Sequence, residues 1–373
     1  MPEIKPFRAI RYDPAVVGDI GSVIAPPYDV ISQVEQDRLY ERSPFNVVRI
    51  DLARDADRYT AAKATWEDWL RRGVLRRDDA PAFYAYAQRH SLKSGETLER
   101  IGFFARLHVE DFASGKVRPH ERTLASAKQD RLELQRACRA NLSPIFGLYV
   151  EKGATLRDRI QKTLAAPPLH SLHDALGIEN RLWCVTDAAA IRALEAALAE
   201  RTVYIADGHH RYETALRYRD EMRAETGKRD GRQPFDWVLA YLCNAVEPGL
   251  AVLPTHRLLR TIALEPGDFL AALAALFTVL EHTDRGAFLA ALHDVAPGTR
   301  RIGLALHDRA PFVVLEAKDG AHDARLVGSA PLRRLDVTLL HGLVLEPILG
   351  IEAHTAAERG DLAYVKDDDE AID

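Results

Sequence analysis

The chain has 373 residues, 47% of them hydrophobic and 28% charged, which is the balance of a globular protein with one large or two ordinary domains. Its 50 Lys and Arg stand against 55 Asp and Glu, and the formal net charge of -5 argues against general electrostatic binding to nucleic acid or to an anionic membrane. No apolar run is long enough to cross a bilayer, the start Met1-Pro2-Glu3-Ile4-Lys5-Pro6 has no secretion-signal pattern, and three widely spaced cysteines give neither a disulfide framework nor a paired thiolate metal site, so a cytoplasmic protein is expected.

In chain order, residues 6–50 read as a Pro-rich strand-and-turn region punctuated by Gly18, Gly21 and Pro26-Pro27. Residues 58–72 read as a helix, with Ala62, Trp66, Trp69 and Leu70 on one face and Gly73 as a stop. Two β-rich runs, 82–92 and 97–112, joined by Lys93-Ser94-Gly95-Glu96, predict a hairpin. A helix over 124–140, a strand over 145–150, helices over 155–164 and 188–200 and a strand over 182–186 follow. Then Thr202-Val203-Tyr204-Ile205-Ala206 predicts a strand that feeds a helix over 212–225 through a tight polar corner. Strands are expected at 237–242, 250–253, 301–306, 312–317 and 324–328, and helices at 269–277, 287–295 and 335–345. The fold class is α+β, a mixed sheet with flanking helices, divided into a 1–260 mixed α/β domain and a 261–373 α+β subdomain.

The corner Asp207-Gly208-His209-His210-Arg211 is the strongest functional signal. A helix start presents unpaired N-H groups and partial positive charge, which suits phosphate or carboxylate. Asp207 is expected to cap the helix, Gly208 to permit positive φ and close ligand approach, Arg211 to offer a bidentate fork, and His209 and His210 to add donors whose charge changes near neutral pH. No Walker loop is present, and the His210 and Glu213 pair lacks a third ligand at recognisable spacing, so no metal site is expected.

Other polar clusters stand at predicted element ends. His120-Glu121-Arg122-Thr123 precedes a helix, and Glu121 is the candidate general base with His120 beside it. Lys128 and Arg131 lie further along that helix, and Asn141-Leu142-Ser143-Pro144 ends it. Ala25-Pro26-Pro27-Tyr28-Asp29-Val30 is a stiffened turn that presents Tyr28 and Asp29 in one geometry.

Taken in order, these motifs, together with Tyr212-Glu213-Thr214-Ala215 and Leu335-Asp336-Val337-Thr338-Leu339-Leu340-His341, resemble the signature of domain-of-unknown-function family 1015, over nearly the whole chain. The resemblance implies a further strand-rich segment with a Lys-Ser-Thr and aromatic motif beyond Asp373, where this sequence ends. A second, local resemblance links Asp207-Gly208-His209-His210-Arg211 and Ala215 to the phosphate-contacting Gly-x-x-Arg-x-x-Ala motif of the ParB and sulfiredoxin superfamily, with one extra residue between Arg211 and Ala215. That superfamily includes nucleotide-binding segregation proteins and free-serine kinases.

Carried over, the resemblance implies that Gly208, His209, His210 and Arg211 grip nucleotide phosphates; from the clusters themselves, Asp207, Lys128, Arg131, Asn141 and Ser143 are expected to join them. Glu121 and His120 then serve the reaction, and Asp29 holds Mg2+ or the substrate amine. The leading expectation is a phosphotransferase that uses ATP or ADP with Mg2+ on a small hydroxyl compound, free L-serine first. The alternatives are a nucleotide sensor without phosphoryl transfer and a metal-dependent hydrolase built on His120, His209 and His210.

Overall fold

Alternation of apolar and polar residues at period two builds the central sheet. The computed structural model describes all residues except 1, 93–94, 121–124, 154–155, 252–253, 297, 307–308, 319–324, 353–355, 357–358, 360 and 373. The chain divides into two compact units, Met1–Ala251 and Val252–Asp373.

In the first unit the strands are β1 (Ile4–Lys5), β2 (Ile10–Tyr12), β3 (Leu75–Arg77), β4 (Phe83–Ser91), β5 (Thr97–His108) and β6 (Val117–Arg118). They continue with β7 (Ile145–Tyr149), β8 (His170–His173), β9 (Glu179–Val185), β10 (Val203–Asp207) and β11 (Trp237–Asn244). Eight run in the order β6-β10-β7-β11-β5-β4-β9-β8, with β1 added to β5. The sheet is mixed: β10 is parallel to β6 and antiparallel to β7, while β7 is parallel to β11. β2 and β3 form a separate antiparallel pair.

Along β5, Ile101, Phe103, Ala105 and Leu107 are buried in turn and meet Phe83, Ala85 and Ala87 of β4 and Val238, Ala240 and Leu242 of β11. Helices Leu156–Leu164 and Ala188–Ala199 add Leu156, Ile160, Leu194 and Leu198 to the same cluster. Each fully buried side chain of this size contributes about 1.5–3 kcal/mol, which makes this cluster the main source of stability in the unit. A second cluster, with Ile50, Ala62, Trp69, Leu75, Leu134 and Cys138, ties helices Arg58–Arg71 and Ala125–Cys138 to the amino-terminal layer.

The expected strand-and-turn region before residue 50 contains helix Gln33–Arg42 instead. Ser32 caps it, its hydroxyl accepting from the Glu35 N-H at 3.2 Å, so Ser32-Gln33-Val34-Glu35 is a helix-start signal. The hairpin, the 58–71 helix and the 203–226 strand-to-helix unit stand as the sequence predicts.

In the second unit, β12 (His256–Leu259) pairs with β16 (Leu362–Val365). A three-stranded antiparallel sheet, β13-β15-β14, comprises Phe277–His282, Arg309–Ala317 and Arg301–Leu306. Phe269 and Leu273 of helix Pro266–Ala274 pack on Phe277, Val313 and Leu315. The expected 269–277 helix ends at Ala274, since the β-branched Thr278 and Val279 favour a strand. Of the expected 324–328 strand, residues 325–328 form one turn and bends rather than a strand, and residue 324 lies outside the described set. The expected 335–345 helix is helical over Asp336–Leu339 and continues as a π-helix over Leu340–Leu345.

Candidate functional site

The corner after β10 is shaped by the strand itself. Val203 and Ile205 are buried while Tyr204 is exposed, and the register with β7 shifts between Ile205 and Asp207, so the strand end is bulged. Gly208 then takes φ +85°, in the left-handed region, and becomes the N-cap of helix His209–Thr226. A Cβ at Gly208 would stand 2.9 Å from Cζ and Nε of Arg211, so only glycine lets the guanidinium lie over the turn.

Asp207 does not cap the helix as expected; no side-chain cap hydrogen bond forms there. Its carboxylate accepts from Arg211 Nη2 at 2.5 Å, the i,i+4 pairing that adjacent helical turns allow. Arg211 Nη1 donates to the carbonyl of Pro144. A guanidinium carries five N-H donors, and these two bonds, the ones it makes among the described residues, leave three for another acceptor.

Arg131, on the neighbouring helix, is spent differently. It donates to Asp51 Oδ1 at 2.7 Å, to the Asp51 carbonyl at 3.1 Å, and through Nε and Nη2 to Asp130 Oδ2 at 2.8 and 2.5 Å. Its guanidinium also covers the Tyr28 ring at 4.0 Å, which brings the Pro26-Pro27-Tyr28 turn to the site. Asn46, fully buried, fixes the approach of that turn by donating to the carbonyls of Ser22 and Ile24, both at 2.9 Å. Asp130 also accepts from Tyr59 and Arg58. Burial works to raise the Asp130 carboxyl, but Arg131, Tyr59 and Arg58 outweigh it and hold it below the usual carboxylate range.

Between the two arginines lies a pocket of about 50 Å³, lined among others by Asp51, Arg131, Asn141, Ser143, Arg211 and Thr214. One water needs roughly 10–15 Å³ of such space, so the pocket takes a group of a few heavy atoms such as a phosphate and is too small for a nucleoside. The loop that supplies Asn141 and Ser143 leaves its helix through Arg139, a non-glycine residue at φ +50°. Within the pocket, burial pushes the Asp51 carboxyl above its ordinary value despite the charges of Arg131 and Arg211.

The histidines form a separate group. His120 Nδ1 lies 2.6 Å from the Ile205 carbonyl, which only accepts, so Nδ1 carries the proton and Nε2 keeps its lone pair in the neutral ring. The His120 N-H donates to His209 Nε2 at 3.4 Å, and the two rings meet edge to face at 4.5 Å. His209 is only 2% exposed. Residues 209 and 211 project about 200° apart around the helix, and His209 is not among the residues lining the pocket. His210 Nδ1 is buried and has no hydrogen-bond partner among the described residues.

A family profile described as Protein of unknown function (DUF1015) matches residues 4–338. This chain belongs to the DUF1015 family. No curated protein and no solved structure matches it.

In this DUF1015 protein the predicted Arg131, Asn141, Ser143 and Arg211 share one pocket, while Gly208 and Asp207 lie against Arg211 and are not among its lining residues. Asp29 is exposed, next to the stacked Tyr28. Glu121 and the side chain of Lys128 lie outside the described residues. Among the described residues no group of three or more His, Cys, Asp or Glu is placed to hold a metal ion, and no helix is long and apolar enough to cross a membrane. Sequence reasoning missed Asp51, Asp130 and Thr214. Thr214 follows Arg211 at i+3 and was legible as a neighbour on the same helix face. Asp51 carries no local signal at all.

Proposed function

We propose that this DUF1015 protein is a nucleotide-dependent phosphotransferase acting on a small hydroxyl compound, with free L-serine as the first acceptor to test. The observation that carries the reading is Arg211, 13% exposed, with three N-H donors uncommitted beside a phosphate-sized pocket at a helix start. The similarity of this corner to the ParB and sulfiredoxin phosphate motif, whose superfamily includes free-serine kinases, supports the same reading.

In the proposed reaction Arg211 and the first turn of the helix hold the transferring phosphoryl group. Arg131, with four of its five donors committed, orders Asp51 more than it binds ligand. Asp51 takes the proton of the acceptor hydroxyl as that oxygen bonds to phosphorus and the phosphoanhydride bond breaks, releasing the shortened nucleotide. A carboxylate whose proton affinity is raised by burial suits that step better than an exposed one. Glu121 remains a second base in this reading, with His120 Nε2 as a proton carrier. Bound Mg2+ would neutralise charge on the moving phosphoryl group, and the exposed Asp29 carboxylate is the residue offered to hold it, since Mg2+ commonly takes one or two carboxylates beside phosphate and water. The nucleoside would lie outside the small pocket.

Incubation with ATP or ADP, Mg2+ and single amino acids, followed by phosphorus NMR, tests the reading. A phosphorylated amino acid is expected, lost in Arg211→Ala and in Asp51→Asn. Nucleotide binding without product would replace it by the sensor reading, and neither binding nor product would end both.

A further inference from the structure

A second cavity, of about 290 Å³, opens beside the β2 and β3 pair and shares no residue with the Arg211 pocket. Its lining includes Arg11, Asp13, Arg76, Arg77, Asp79 and His170. The floor is a closed network. Arg11 clasps Asp78 through Nε at 3.1 and 3.0 Å and through Nη2 at 2.6 Å, and Tyr84 donates to the same carboxylate. Arg11 Nη1 lies 3.1 Å from His170 Nε2. A guanidinium only donates, so His170 accepts at Nε2 and carries its proton on Nδ1 as a neutral ring. Asp13 is also committed, to the Ala15 N-H at 2.9 Å and to Arg76 at 3.1 Å.

What remains open is one unpaired charge of each sign, the four N-H donors that the exposed Arg76 does not give to Asp13, and one neutral donor. The side chains of Arg77 and Asp79, both exposed and both lining the cavity, have no hydrogen-bond or ion-pair partner among the described residues, and neither has His170 Nδ1. Three arginines and three aspartates, counting Asp78, cancel formally, so a polyanion such as a nucleoside triphosphate gains nothing here. By the same measure of roughly 10–15 Å³ per water, the space takes about twenty waters, room for an amino acid together with part of its hydration.

The geometry points to this cavity as a binding site for a free amino acid, its carboxylate held by Arg77 and the His170 Nδ1-H and its ammonium by Asp79. A bidentate guanidinium contact fixes the carboxylate, and the neutral ring donates without requiring protonation. The preformed floor means that binding orders only the two rim side chains, which limits its entropic cost. The inference is independent of the phosphotransfer reading.

Calorimetric titration of the full chain with each of the common amino acids tests it. At least one is expected to bind, to bind equally well to Arg211→Ala, and to bind at least about tenfold more weakly to Arg77→Gln and to Asp79→Asn, the scale set by losing a charge-assisted contact. Its N-acetyl and amide derivatives should weaken to a similar degree. No binding by any amino acid overturns the proposal, as does binding that Arg211→Ala abolishes and Arg77→Gln and Asp79→Asn leave unchanged. Should Arg77→Gln fail to fold, Asp79→Asn and the ring resonances of His170, which must shift on binding, decide it.

Discussion

Arg211 and Asp207 face each other across the start of one helix, guanidinium to carboxylate at 2.5 Å, with the arginine 13% and the aspartate 58% exposed. The carboxylate therefore competes with any anion for the arginine. Because it is the more solvated partner, the pair contributes at most about 1 kcal/mol to stability. Asp207→Asn should leave the urea midpoint nearly unchanged and tighten phosphate binding by roughly two- to fivefold, the binding read by calorimetry. Weaker binding in that variant would mean that Asp207 positions the arginine rather than competing for it.

Gly208 carries both a positive φ and the closest approach to Arg211. Gly208→Ala is expected to destabilise the first unit by about 1–2 kcal/mol through left-handed backbone strain alone, and to push the guanidinium away. Urea unfolding and phosphate titration should both report the change; an unaltered protein would mean that the corner tolerates a side chain.

Asp236 is fully buried, accepting from the Gln233 N-H at 2.9 Å and from Arg223 at 2.7 Å. Asp236→Ala leaves Arg223 short of its counter-charge and the turn without its reciprocal bond. A loss of about 3 kcal/mol is expected, visible as a lower denaturation midpoint.

The pH dependence follows from two histidines held neutral. Burial first, and then the charge of a neighbouring arginine, lowers His170 beside Arg11 and His341 beside Arg257 below the ordinary 6.5. A histidine with a depressed folded value binds protons more readily when unfolded, so its contribution is intact above pH 6.5 and is lost as pH falls through the folded value. Thermal stability should drop on acidification below pH 6.5, and less steeply in His170→Gln. A stability curve flat through that window would contradict both assignments.

Burial also pushes the thiols of Cys138 and Cys243 up to about 11 and about 12. Both should stay unreactive toward a disulfide reagent at pH 8 in the native protein and react only on unfolding. Rapid native labelling of either would show that its packing opens.

The parts of this fold that were legible in sequence are those whose information is local. The β4 and β5 hairpin announces itself by alternation, and the β10 corner by a β-branched run stopped at Asp207-Gly208. Helix Gln33–Arg42 was hidden by the surrounding prolines although Ser32 and Glu35 mark its start. Asp51 was not legible because its partner Arg131 is 80 residues away, and no pattern of spacing encodes a side-chain pair at that separation. The same holds for His209, whose expected ligand role rested on adjacency to Arg211, while helical rotation and the distant His120 decide where its ring sits.

The claim that Arg211 and the helix start form an oxyanion socket is tested most directly by the melting temperature of the full chain with and without ATP or ADP, in the native protein and in Arg211→Ala. A ligand that selects the folded state must raise its apparent stability. The native protein should gain several degrees at millimolar nucleotide and Arg211→Ala should gain none while melting normally without ligand. An equal gain in both proteins, or none in either, would contradict the claim.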